Sequence, residues 1–432
     1  MNTNSMKKIA LGILIITLFL SSYAQDINKN STQKLKTAYD LRNDLNPKRL
    51  TIAMWDYSYL KMHYKGGAFE DYNKVTNELI ERGFNAVRID AFPLIIGSLK
   101  NPKEQITFKG NQWDTWGPTD IDRKHEILGE LIDFMKITKE KKISVILSTW
   151  NESCIEYPDI RKNFKDQTKY LAAWSKVIDT LDKCQLLDHV VYIDLDQEFP
   201  YFSPFMDAID SLGKIKDAEK IKMPENKRII GYNDRNSDEF RWNRKQIDYT
   251  YNLMDSCLEL FHIKYPKLRF TYSISEFWEE FRYMDLTSFD VLELHIWLTQ
   301  SKRFMTRTQF DAQKKYRGEE DYTDYNRRLK ETMESIKPML IKDMHNKLQY
   351  ANAWADEIAV PLVTTEAWGP WWQMDSKTLD WDYLYEWCEL GVQLSAEYGF
   401  WGTTPWNYSH PYWKNWSNIG WYKKVNNGFL KQ

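Results

Sequence analysis

The chain has 432 residues, 43% of them hydrophobic, which is enough for a large core and, on length alone, for about two or three domains. Lys and Arg number 59 against 61 Asp and Glu, a net charge of -2, and this excludes the basic footprint of a nucleic-acid or anionic-membrane binder. The count of 19 Trp beside 26 Tyr is unusual; most of these rings must fill the core, and the remainder suit a cleft that stacks flat, partly apolar ligands such as sugars.

In chain order, Met6-Lys7-Lys8 gives a charged start, Ile9 to Leu20 an apolar centre, and Ser21-Ser22-Tyr23-Ala24 a small-residue cleavage site. That pattern predicts a secretory signal peptide over 1–24 and an exported, soluble mature chain. The apolar run of about a dozen residues is too short for a bilayer span. No Cys follows it, so a lipid anchor at the cleavage point is not expected. Residues 25–46 are polar and predict a mobile lead-in to a folded domain over 47–432, starting near Leu50. Cys154, Cys184, Cys257 and Cys388 are widely spaced without a CxxC pair, and the last three sit among apolar residues at helical spacing, where buried thiols are expected. The seven His show neither HExxH nor a His/Cys cluster, so neither metal nor cofactor is expected.

From Leu50 a rhythm sets in. Leu50 to Trp55 reads as a strand, Phe69, Tyr72, Val75 and Leu79 recur at helical spacing until Gly83, and Phe84 to Ile89 is the next strand. Further strands are predicted at 143–149, 190–195, 268–274, 291–296, 360–366 and 399–403, with helical faces between them such as Leu171, Trp174, Val177 and Leu181. Eight strands alternating with helices predict an α/β fold, a single (β/α)8 TIM barrel with long βα loops near 200–238 and 301–321. The competing open doubly wound sheet requires a Gly-rich turn after the first strand, where Asp56-Tyr57-Ser58-Tyr59 stands instead. The charge run Lys214 to Lys222 reads as a solvated face.

A barrel gathers its strand C-termini on one face, where active sites are built. Trp55 and Asp56, Arg88 and Asp90, Trp150, Asn151 and Glu152, Gln197 and Glu198, Glu276, His295 and Trp297, Glu366 and Trp368, and Trp406 and Asn407 all fall there. Strands four and seven lie across the mouth from each other, so Glu198 and Glu366 can face a common point. Such a pair can cleave a glycosidic bond, with retention at a separation of about 5 Å and inversion at about 6.5 to 9.5 Å. Arg88 beside Glu366 is expected to favour its ionised form, while burial and the neighbouring charge raise Glu198 and make it the acid.

Gly83 to Ile89, Glu198 at a strand end, His295 on strand six, Glu366 on strand seven and Trp406 after strand eight together resemble the clan A glycoside hydrolases, particularly cellulase-like relatives of family 5. The resemblance spans about Leu50 to Trp421. It implies a retaining mechanism with Glu198 as acid/base and Glu366 as nucleophile, support of the nucleophile by Arg88 and His295, and Trp406 as floor of the bond-cleaving subsite. Trp55, Trp150, Asn151, Gln197 and Trp368 complete the expected substrate-binding set. One departure is Gln197, which stands where that family places the Asn whose amide meets the sugar 2-hydroxyl. The expected partner is a β-linked glycan. A glycan-binding barrel without turnover, and transglycosylation to an acceptor sugar, are the competing readings.

Overall fold

The computed structural model describes residues 37–432 apart from 113, 115, 230–237, 311–320, 372–374 and 376. The expected signal peptide and residues 25–36 of the lead-in lie outside the described residues, as do parts of both long loops.

Twelve strands are described: β1 (Leu50–Asp56), β2 (Ala86–Asp90), β3 (Ile106–Phe108), β4 (Arg123–His125), β5 (Ser144–Ser148), β6 (Val190–Asp194), β7 (Lys220–Lys222), β8 (Glu239–Asn243), β9 (Phe270–Thr271), β10 (Leu292–Glu293), β11 (Leu362–Thr364) and β12 (Gly402–Thr403). Eight of them run β10-β11-β12-β1-β2-β5-β6-β9, every pair parallel. A parallel bridge between Ile274 and Leu294 joins β9 to β10 and completes the ring. The expected (β/α)8 barrel is therefore present, with β6 as its fourth strand and β11 as its seventh. The other four strands form two antiparallel hairpins, β3-β4 and β7-β8, inside the loops after β2 and β6. Neither hairpin is among the predicted strands, because strands of three to five residues carry too little alternation to register.

Strand periodicity explains how the barrel is filled. On β2, Val87 and Ile89 face the helical layer, while Ala86, Arg88 and Asp90 form the other file. Ala86 packs with Ile52, Ile146, Val291, Val363 and Trp401 in a separate apolar cluster. Two residues further on, that file becomes polar. Between sheet and helices lies the larger core, built by amphipathic helices such as Tyr72–Glu81, which buries Tyr72, Val75 and Leu79, and Gln167–Lys183, which buries Trp174, Val177 and Leu181. Asp71 and Asp166 start these two helices by accepting first-turn N–H groups, the usual role of an N-cap carboxylate.

The fold begins before Leu50. A short helix, Ala38–Leu41, precedes Leu45, which joins the apolar cluster of the barrel interior at 2% exposure. The Trp401 indole donates to Pro47 O at 2.8 Å and Arg49 to Phe400 O at 3.0 Å. Polar composition hid this attachment because only scattered apolar residues, Ala38, Tyr39 and Leu45, make the contact. All four cysteines are free; Cys154, Cys257 and Cys388 are buried, whereas Cys184, expected inside, is exposed at the C-cap of its helix. Among the described residues no helix is long and apolar enough to cross a membrane.

Candidate active site

The chain turns sharply where strands end at the mouth. Asp56, Phe92, Asn151, Glu198 and Phe277 all adopt left-handed backbone, with φ of 40°, 48°, 51°, 50° and 58°. Non-glycine residues hold such angles only when the surroundings impose them, and they gather at functional sites.

Arg88 sits at the centre, fully buried. Its Nε and Nη2 donate to the two Asp56 oxygens at 2.8 Å each, Nη2 reaches Glu366 Oε1 at 2.5 Å, and Nη1 binds the Thr365 hydroxyl. Bidentate pairing to Asp56 fixes the guanidinium plane, so its outer edge meets Glu366 in one orientation. Asp56 also accepts from Trp150 Nε1 at 2.7 Å and Gln197 Nε2 at 3.3 Å. His295 has its Nδ1 3.0 Å from Glu198 Oε1 and 3.6 Å from Glu366 Oε2. It stands between the two carboxylates and is nearer to Glu198, the partner not expected of it.

Burial pushes the Glu366 carboxyl up to about 7; His295 and Arg88 pull it down, and the charges of Glu198 and Asp56 add to the rise. Arg88 favours the ionised form of Glu366, as expected, but a fully enclosed carboxylate loses more hydration than one guanidinium returns. The enclosure expected of Glu198 is found at Glu366: the Glu198 side chain is 16% exposed against 1% for Glu366. For His295, burial lowers the imidazole, but Glu366, Glu198 and Glu293 outweigh it and raise it to about 10.

Above the pair opens a cleft of about 480 Å³. Tyr57, Trp116, Trp150, Trp297, Phe202 and Trp371 supply its aromatic walls, and Glu152, Arg161, Tyr201, Glu276 and Gln300 its polar ones. Glu152 lies 3.8 Å from Lys61 Nζ, and Glu276 accepts from Tyr201 and Arg241 at 3.0 Å each. Most of these residues come from loops and carry no periodic signal, so sequence reading passed over Tyr57, Trp116, Tyr201, Phe202 and Trp371.

Of the expected set, the structure brings Arg88, Gln197, Glu198, His295 and Glu366 together, with Trp150 on the wall. It places four others elsewhere. Trp55 faces the helical layer, edge-on to Phe69, Phe134 and Trp416, with its indole donating to Ser409 O at 3.1 Å. Strand alternation puts it on the side opposite its neighbour Asp56. Trp368 is buried against the helix Asp382–Glu397, where a Cβ on Gly391 would collide with its ring. Trp406 is fully buried beside Trp381, Tyr385 and Tyr408, and does not line the cleft. Asn151 binds Asp196 at 3.1 Å and the Phe202 carbonyl at 3.2 Å, which suits an Asn holding a left-handed turn. Gln197 is buried too, its amide nitrogen turned to Asp56 and away from the cleft, its Oε1 without a partner.

Glu198, His295 and Glu366 are also the trio of side chains among the described residues whose ligating atoms lie within 4.8 Å of one another, the spacing of a metal site. The Arg88 cation against Glu366 opposes a second cation there. The arrangement suits two carboxylates acting on one bond.

A (β/α)8 barrel with two glutamates at the ends of its fourth and seventh strands defines the class. The sequence model of the sugar-binding cellulase-like family matches residues 52–429, and the chain belongs to that family. A candidate glycoside hydrolase from Parabacteroides distasonis is similar in structure, with 24% identity, a TM-score of 0.71, and 88% of this chain and 93% of that one covered. A family 5 mannosidase from Rhizomucor miehei (12% identity, TM-score 0.46, 89% and 93% covered) and a GH5-4 broad-specificity endoglucanase from an uncultured bovine rumen ciliate (11%, 0.47, 91% and 99%) are more distant. No curated protein matches the chain.

Proposed function

We propose that the protein hydrolyses β-glycosidic bonds of an oligo- or polysaccharide with retention, Glu366 attacking the anomeric carbon and Glu198 first protonating the leaving oxygen and then activating water. The observation that carries this reading is the approach of Glu198 and Glu366 oxygens to within 4.8 Å across His295. This closeness favours the roughly 5–5.5 Å carboxyl separation of a retaining pair over the about 6.5–9.5 Å of an inverting one. Arg88 and His295 donate toward Glu366 and offset the charge that returns to it when the glycosyl-enzyme breaks down. The aromatic walls offer ring faces to sugar C–H surfaces. Export of the chain after removal of residues 1–24 belongs to the same proposal, since a polymeric glycan is met outside the cell.

A reversed assignment, with Glu366 as acid and Glu198 as nucleophile, is favoured by one observation, the rise of the Glu366 carboxyl to about 7. Trapping with a panel of 2-fluoro glycosides and peptide mapping decides between the two. The expected label is on Glu366; a label on Glu198 reverses the roles, and no label with any sugar, together with no turnover of β-glucans, β-mannans or aryl β-glycosides, removes the hydrolase reading in favour of glycan binding.

A further inference from the structure

Beneath the catalytic pair lies a carboxylate that the reaction as derived does not use. Glu293 on β10 is fully buried, two residues before His295 on the same inward file. Its Oε1 accepts from the Thr365 hydroxyl, lies 3.5 Å from Arg88 Nη1 and 3.8 Å from His295 Nε2. Its second oxygen makes no hydrogen bond of ordinary length among the described residues. A carboxylate held this way without access to solvent is costly, so what it does for its neighbours needs an account.

The account lies in the two nitrogens of His295. Nδ1 faces oxygens of Glu198 and Glu366, and whenever that pair includes an ionised carboxylate, which only accepts, Nδ1 carries a hydrogen in either charge state of the ring. Nε2 faces two neighbours with opposite demands. Arg88 Nη1, 3.3 Å away, can only donate and is attractive only to a bare nitrogen. Glu293 Oε1 attracts a protonated one. Glu293 also draws Arg88 Nη1 toward itself and Thr365, away from the ring. Asp56 neutralises Arg88 from the β1 side, and Asp194 and the Tyr192 phenol stand near Glu293 from β6.

We propose that Glu293 is a positioning residue for the glutamate pair, keeping His295 an imidazolium whose Nδ1–H is held between Glu198 and Glu366. The proposal rests on the hydrolase reading for its consequence in turnover, though not for the state of His295 itself. Burial acts to raise the Glu293 carboxyl, but His295, Arg88 and Thr365 outweigh it and hold it below the ordinary range, as an anion. With Glu293 and Glu366 ionised and Glu198 holding the proton it donates, two anions face the ring against one guanidinium. With Glu293 neutral, Arg88 becomes the stronger neighbour of Nε2 and the imidazole sheds its proton.

The test is Glu293→Gln, which keeps shape and removes charge. In nitrogen-15 spectra of the histidine-labelled full chain, with His295 assigned by its loss in His295→Asn, the wild type shows both ring nitrogens protonated at pH 8. The variant is expected to show Nε2 bare, with kcat down about 10- to 100-fold through misplacement of the pair and KM within about twofold. Unchanged His295 signals in Glu293→Gln overturn the proposal, whatever turnover does. Altered signals in a chain that turns over no glycoside would sustain the hold of Glu293 on His295 and remove the hydrolase reading instead. If Glu293→Gln does not fold, Thr365→Val, which removes the hydroxyl anchor of Glu293, is expected to move the His295 Nε2 signal in the same direction, and no movement there counts equally against the proposal.

Discussion

The inner face of the barrel changes character along its axis, although the same strands build both ends. At the N-terminal end Ile52, Ala86, Ile146, Val291 and Val363 pack around Trp401 with Leu45 joining them. At the C-terminal end the same files present Asp56, Arg88, Asp194, Glu293 and His295, all fully buried. Each large apolar side chain below contributes about 1.5–3 kcal/mol by burial. Each ion above has lost hydration worth several kcal/mol, which neighbours return only in part. The contrast separates stability from chemistry within single strands: the lower layer carries the fold, so the upper one can hold charges and left-handed backbone that stability alone would not retain.

The largest effect expected from breaking this contrast is on turnover. Glu366→Ala removes the proposed nucleophile and is expected to lower kcat by at least about 10³-fold with little loss of thermal stability, since Arg88 keeps its bidentate Asp56. Glu198→Gln is expected to cost about 10²–10⁴-fold on unactivated glycosides, and much less on aryl glycosides whose leaving group needs no protonation. Equal losses on both substrate types would contradict the acid role. At the other end the order reverses: Ile146→Ala, in the lower layer, is expected to cost about 2–5 kcal/mol in urea unfolding while activity per folded molecule stays constant.

The same contrast explains what could be read from the chain before it was folded. Regular repetition made the eight barrel strands legible, and with them the strand-end positions of Arg88, Glu198, His295 and Glu366. Which face each side chain takes was not legible wherever a strand ends in a turn. Trp55 and Asp56 are adjacent, so alternation sends them to opposite faces, but which of the two turns inward depends on a register that shifts between Met54 and Asp56. Trp368 and Trp406 were misplaced for a related reason: an indole at a strand end has the same sequence signature whether it floors a cleft or fills the gap over Gly391 or Gly369. Glu293 escaped notice because a mid-strand carboxylate in an apolar run has no signal except its oddity.

A smaller effect is expected from pH, and it runs in opposite directions for stability and for turnover. Glu366 and Asp90 are raised to about 7 and Asp194 to about 8, burial being the largest cause in each. Each binds its proton more tightly folded than unfolded, so the stabilisation is fully present below the ordinary carboxylate range, about 4, and is lost as pH rises through about 7 to 8. Turnover is expected to move the other way, because the proposed nucleophile Glu366 would attack only when ionised, so activity should climb as pH approaches 7 from below. Urea unfolding at pH 5, 6, 7 and 8 is expected to show falling stability, and Asp194→Asn, which can keep its bonds to Ser148 and the Ser273 N–H, is expected to flatten part of that slope. A rise in wild-type stability across this range would contradict the buried, protonation-linked mouth.

The finest separation of the two levels lies in Trp150, which belongs to both. Its ring lines the cleft and meets Phe202 edge-on at 4.7 Å, while its Nε1 donates to Asp56 Oδ2 at 2.7 Å, behind Arg88. Trp150→Phe retains much of the wall and deletes the donor. A hydrogen bond to a charged group contributes about 1.5–3 kcal/mol, and here Asp56 keeps Arg88 and Gln197 as partners, so the lower end applies. If the indole acts mainly through Asp56, kcat falls about tenfold and KM stays near its original value. If it acts mainly as a sugar platform, KM rises and kcat holds, and the wall and the ion network are then independent parts of the site.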